Sequence, residues 1–196
     1  MPCFIAVFAS GAGSNARRIM EHFQHSEAVQ VRLVVSNKAD AGVLDIARNL
    51  GVETLVINRE SFYRSEVIVE ELRSRHISFI ALAGFLWLVP SYLVHAFPRA
   101  IVNIHPALLP KFGGKGMYGP HVHEAVKEAG ETETGITIHY VDERYDEGQI
   151  IFQARCPVLP ADAPADIARR VLSLEHLHFP VVIEQLLLNQ PATGGC

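Results

Sequence analysis

The sequence predicts an α/β fold, with a mostly parallel central sheet flanked by helices and antiparallel strands in the C-terminal half. Three observations predict it. Short apolar runs alternate with helix-spaced segments from residue 4 to residue 105, the signature of a parallel sheet covered on both faces. The first apolar run ends in a glycine-rich turn that opens a helix. Further on, residues 135–141 alternate apolar with polar, and a second strand-like stretch follows across a short loop, as antiparallel neighbours do.

Taken in order, residues 4–8 form a buried strand, and residues 15–23 a helix with Ile19, Met20 and Phe23 on one side. Residues 31–35 are the second strand. Residues 42–50 are a helix stopped by Gly51, the usual glycine after a helix end. Residues 54–57 form the third strand. Residues 64–75 make one amphipathic helix with Val67, Ile68 and Leu72 inward. Residues 79–83 and Ile101–His105 are the fourth and fifth strands. A proline-bracketed loop (106–110) and a glycine-rich stretch (113–119) lead to a helix over 121–129. Strands at 135–141 and Ile150–Pro157 flank the acidic loop 142–148. A long helix over 163–188 closes the chain, bent near Pro180, with a frayed tail at 189–196.

The 196 residues, 49% of them hydrophobic, suit a single domain over 1–188 with one substantial core. A net charge of -4 argues against a nucleic-acid binder, which would carry a basic stripe. Cys3, Cys156 and Cys196 are odd in number and widely spread, which fits neither a disulfide framework nor a paired zinc pattern. The N-terminus lacks a basic leader segment, and no apolar run approaches the ~20 residues that span a bilayer. These features point to a reducing cytoplasm and to no membrane partner.

Three motifs carry chemistry. Gly11-Ala-Gly-Ser-Asn15 lies between strand and helix, where free N–H groups hold an anion; the alternative is a plain turn with Ser14 or Asn15 as the helix cap. The second strand ends in Val35-Ser-Asn37, without the acidic residue that holds a dinucleotide ribose, so a phosphate grip is favoured over a nicotinamide cofactor. In Asn103-Ile-His-Pro106, residues two apart on a strand share a side. An amide and a cationic imidazole would then stabilise an oxyanion together. The alternative is a strand terminus with a core histidine. Asp146, in an acidic loop, is either a solvated turn or a carboxylate folded back over His105, raising its pKa and carrying protons. The histidines His105, His121, His123 and His139 show no metal-ligand spacing, and His121 and His123 diverge on a helix, so no metal is expected. Phe85-Leu-Trp-Leu-Val-Pro90 could wall a flat heteroaromatic ring or be core beneath the sheet edge.

Together these motifs resemble the folate-dependent glycinamide ribonucleotide formyltransferase family, with its Rossmann-like formyltransferase fold. The likeness covers nearly the whole chain. It rests on Gly13-Ser-Asn15, Ser36-Asn-Lys-Ala-Asp40, Leu82-Ala-Gly-Phe85, Asn103-Ile-His-Pro-Ala-Leu-Leu-Pro110, Gly135-Ile-Thr-Ile-His139, Asp146-Glu-Gly148 and Glu175-His176. The resemblance implies Asn103, His105 and Asp146 as the catalytic trio. It implies Gly13, Ser14 and Asn15 as a phosphate cradle and Glu175 as the ribose contact. It implies a folate pocket at Phe85, Leu86, Trp87, Leu88, Val89 and Val141, with Thr137 beside it. The co-substrate would be 10-formyltetrahydrofolate, the acceptor glycinamide ribonucleotide and the process purine biosynthesis, without a metal; a homodimer stays open. Trp87 stands where some members carry Arg, Leu172 where a polar group is common, and Ala107 where Ser is common; the 113–119 stretch is longer. Rival readings are a formyl-folate hydrolase, a formyltransferase for aminoacyl-tRNA or a sugar amine, and a non-catalytic nucleotide- or folate-binding module.

Overall fold

The structure is a computed structural model and describes residues 2–189. In chain order the elements are β1 (Cys3–Phe8), α1 (Ser14–Phe23), β2 (Val29–Ser36), α2 (Gly42–Asn49), β3 (Glu53–Val56), α3 (Arg59–Arg64), α4 (Val67–Ser74) and β4 (Ile77–Leu82). They continue as α5 (Ser91–Ala96), β5 (Ile101–His105), α6 (Pro120–Glu128), β6 (Glu133–Tyr140), β7 (Ile150–Pro157) and α7 (Pro164–Leu188). The strands form one seven-stranded sheet in the order β3-β2-β1-β4-β5-β6-β7. The first five run parallel, and β6 and β7 pair antiparallel at the far side.

Alternation along each strand divides the core between the two faces. On β1, Ile5 and Val7 pack with α1, α2 and α7 residues such as Ile19, Val43 and Phe179. Ala6 and Phe8 pack on the other face with Phe62, Leu72 and Leu93 of α3, α4 and α5. Strand order reverses between β1 and β4, so the crevice beyond their carboxyl ends is where such sheets bind ligands. Main-chain and side-chain bonds tie the two loops there together: Ser10 N donates to Gly84 O, and Leu86 N donates to Ser10 Oγ at 2.9 Å.

Gly13 caps α1 with φ 80°, a left-handed conformation that favours glycine. A Cβ there would lie 2.6 Å from the Val43 side chain, so glycine also lets α1 and α2 approach. The expected cap, Ser14 or Asn15, is therefore displaced by one residue, and α1 has no side-chain cap. Its first-turn amides, which no helical carbonyl can reach, stay available.

Three other expectations change. The helix expected over 64–75 begins at Val67, because Ser65 is extended at φ -144° and ψ 158°, and Arg64 ends a separate helix, α3. The Asn58 side chain starts α3 by accepting from Ser61 N at 2.9 Å. The segment after Pro90 contains α5, six residues long, too short to show a helical period. The expected C-terminal helix is present as one element with Pro180 inside it. Among the described residues, α7 is the one helix that by length and composition could cross a membrane, contrary to the absence of such a run expected above. It buries Ile167, Val171, Glu175, Phe179 and Ile183 and packs on β6 and β7, as a core helix does. Beyond Asn189 the expected tail lies outside the described residues.

Candidate active site

Strand β5 ends at the crevice with Asn103 and His105 on one side, and β6 pairs with it so that Asn103 faces His139 and His105 faces Thr137. The loop after β6 brings Asp146 back over this face. His105 Nδ1 is 3.5 Å from Asp146 Oδ2, and Asn103 Nδ2 is 3.4 Å from Asp146 Oδ1. The three side chains expected to meet do meet.

Main-chain groups fix their orientation. His105 Nε2 donates to the Phe112 carbonyl at 2.7 Å, which assigns the proton to Nε2 because a carbonyl only accepts. In the neutral ring Nδ1 is then a lone pair aimed at the Asp146 carboxylate. Gly114 N donates to Asp146 Oδ2 at 2.9 Å. Both Phe112 (φ 57°) and Asp146 (φ 56°) are left-handed, an uncommon conformation for residues with side chains, though Asp tolerates it better than most.

Burial draws the His105 pKa down, and this outweighs the upward pull of Asp146 and of the Phe112 carbonyl. The expected standing cation is therefore corrected: in the ligand-free protein His105 is a neutral base. Burial also raises the Asp146 carboxyl. The His139 ring, 3.5 Å away, the nearby His105 and the Gly114 amide more than offset that, leaving Asp146 below the usual carboxylate range and ionised.

His139 was not singled out as a site residue by sequence, yet it orients the centre. Its Nδ1 donates to Tyr140 O at 2.8 Å, so its Nε2 accepts from Asn103 Nδ2 at 3.1 Å. This fixes which way the Asn103 amide points. The signal was the shared parity of Thr137 and His139, but only strand register pairs His139 with Asn103.

The trio opens on a cavity of about 1110 Å3 that extends from Trp87 to Asn15 and Glu175. Phe85, Leu86, Trp87, Leu88, Val89 and Val141 all line it. Phe85 and Val89 also belong to the core, so the segment is at once cavity wall and core. Trp87 leans on Phe62 and Tyr63 with ring centroids 5.6 and 6.0 Å away. Thr137 does not reach the cavity, a correction to its place beside the folate pocket. It is fully buried, donating to Ala107 O at 2.7 Å and accepting from Leu109 N at 3.0 Å; it holds down the loop after β5. Gly13 and Ser14 are not among the lining residues either. Asn15 is, and α1 reaches the cavity through it.

At that end Asn15 Nδ2 donates to Glu175 Oε2 at 2.7 Å. Asn15 Oδ1 is buried without a partner among the described residues, an acceptor that a ligand hydroxyl would satisfy. Glu175 is 7% exposed, and burial raises its pKa against the lowering effect of Asn15. The folded state thus prefers the neutral carboxyl. The stability this group contributes is complete below the usual Glu pKa and is lost as pH rises through the raised folded value. Glu175→Gln is accordingly expected to raise the Tm of the ligand-free protein, more at about pH 8 than at about pH 5. Calorimetry finding no gain at the higher pH would contradict this. Among the described residues no His, Cys, Asp and Glu cluster could hold a metal ion.

An amide, an imidazole and a carboxylate gathered around one open space are the parts of an acyl-transfer centre. The chain belongs to the formyl transferase family, which it matches over residues 4–183. It is 36% identical over 187 residues to the phosphoribosylglycinamide formyltransferase of Bacillus subtilis, covering 93% of each chain. It is 44% identical over 185 residues to the chloroplastic phosphoribosylglycinamide formyltransferase of Arabidopsis thaliana, covering 91% of this chain. It spans 63% and 60% of the length of the Arabidopsis and Vigna unguiculata relatives. Among solved structures, glycinamide ribonucleotide transformylase 1 from Symbiobacterium toebii superposes with a TM-score of 0.87 at 34% identity, covering 99% of this chain and 92% of that one. The mostly parallel sheet with an antiparallel C-terminal half is the fold expected from the sequence.

Proposed function

We propose that the chain transfers the formyl group of 10-formyltetrahydrofolate to the amine of glycinamide ribonucleotide, a step of purine biosynthesis. The observation that carries this reading is the meeting of Asn103, His105 and Asp146 on a cavity that continues to Asn15 and Glu175. One end suits a flat ring against Phe85–Val89; the other suits a phosphorylated sugar. The names of the Bacillus and Symbiobacterium relatives support the choice of acceptor.

The uncapped first turn of α1 binds the phosphate, and Asn15 and Glu175 take ribose hydroxyls. Held so, the amine reaches the formyl carbon as an intramolecular reactant. Its neutral nitrogen attacks, a C–N bond forms and the carbonyl π pair moves to oxygen. Asn103 Nδ2 donates to that oxyanion. His105 Nδ1 accepts the amine proton, and the imidazolium so formed lies between Asp146 and the Phe112 carbonyl. Cleavage of the bond from the formyl carbon to folate N10 completes transfer, with the proton returning to that nitrogen. Asp146 stabilises the intermediate imidazolium rather than a resting one. A cytoplasmic location and a homodimer belong to this reading.

An assay of purified protein with 10-formyltetrahydrofolate, with and without glycinamide ribonucleotide, tests it. Formyl transfer that requires the nucleotide is the expected result. Formyl-folate hydrolysis without the nucleotide, transfer to another amine only, or binding without turnover would each overturn it.

A further inference from the structure

The charged residues lining the cavity are Lys115, Glu124, Arg144, Asp146 and Glu175, among the described residues. Only two are cations. Arg144 is committed to Glu147, 2.7 Å away. Lys115 makes no ion pair or hydrogen bond among the described residues. It is an exposed side chain in the glycine-rich stretch between β5 and α6, flanked by Gly114 and Gly116, both at φ 93°. That stretch leaves Asp146 at Gly114 and enters α6 at Pro120, and α6 packs on α7.

The α7 wall supplies no positive charge to the cavity. Ala165, Ala168 and Leu172 line it uncharged, and Glu175 is acidic. A phosphate monoester seated at α1 would meet N–H donors but no cation on either helix's cavity face. A dianion in that position needs a countercharge, and the one cavity cation without an ion pair among the described residues is Lys115, on the loop that joins Gly114, at Asp146, to α6.

We propose that Lys115 is the countercharge for the phosphate of the nucleotide substrate, a positioning contact supplied by the loop before α6. The inference rests on the reading of function above. Steady-state kinetics test it. Lys115→Ala is expected to raise the KM for the nucleotide about tenfold, the loss of one charged hydrogen bond, with kcat falling less than KM rises. The KM for formyl-folate should not move. Lys115→Arg should restore most of the affinity. Inorganic phosphate should compete with the nucleotide less well in Lys115→Ala than in wild type. An unchanged nucleotide KM, a loss confined to formyl-folate (a contact with its glutamyl carboxylates instead), or an arginine variant no better than alanine would overturn the proposal. Wild-type protein without nucleotide-dependent transfer would sink the functional reading itself. Active wild type with indifferent Lys115 variants would sink this inference alone.

Discussion

Asp146→Asn is expected to lower kcat by about 10²–10⁴, the range for loss of an acid–base partner, while the fold is retained. The argument rests on His105 being neutral at rest. Its Nε2 proton is committed to the Phe112 carbonyl, so any proton it accepts goes to Nδ1, opposite Asp146 Oδ2. An ionised Asp146 offsets the burial penalty of the imidazolium at the moment it forms. An asparagine there keeps shape but not charge, and the His105 pKa then falls further. The acidic limb of the kcat–pH profile should therefore move to lower pH as the plateau drops. Circular dichroism and Tm separate this from unfolding. Wild-type turnover in the variant would remove Asp146 from the mechanism, and a limb shifted to higher pH would refute its electrostatic role.

Asn103→Ala carries the second large effect. A single preorganised donor to an oxyanion is worth about 10²–10³ in kcat, and the Asn103 amide is preorganised. His139, itself fixed by its bond to Tyr140 O, accepts one N–H of Asn103. The second N–H has only the long contact to Asp146, so it can turn to the developing oxygen at little cost. Because this contact strengthens with charge, kcat should fall far more than the KM of either substrate rises. Equal losses in KM and none in kcat would make Asn103 a ground-state contact only.

Much of this arrangement is legible in the residues. The parity of Asn103 and His105 follows from the two-residue period of a strand, and the antiparallel β6–β7 pair follows from alternation across a short acidic loop. The chain's first five strands are visible as apolar runs, although β2 starts at Val29 and β4 at Ile77, two residues earlier than the runs suggest, because the polar residues Gln30 and Ser78 follow those buried ends and interrupt the runs. Asp146 is different. Nothing in its local composition separates it from a solvated turn, and only resemblance points to it. Position 137 shows the limit most clearly. Thr137 shares a face with His139, so parity admits it to the site. The loop after β5 lies on top of it and takes its hydroxyl, a tertiary contact no period encodes. The protonation of His105 is likewise hidden, since it depends on how completely the ring is covered.

The bonds that aim His105 and Asp146 come from the backbone at Phe112 and Gly114. Point substitution cannot delete the Phe112 carbonyl, and only proline would remove the Gly114 N–H. Replacing the aromatic ring at 112 can change packing, but the acceptor stays in the chain. What would break the alignment is a change in chain length between residue 105 and residue 114, which would shift both groups out of register at once. That stretch should therefore accept new side chains far more readily than inserted or deleted residues, whereas the connection between Lys115 and α6, beyond the last of these bonds, has more freedom to vary in length.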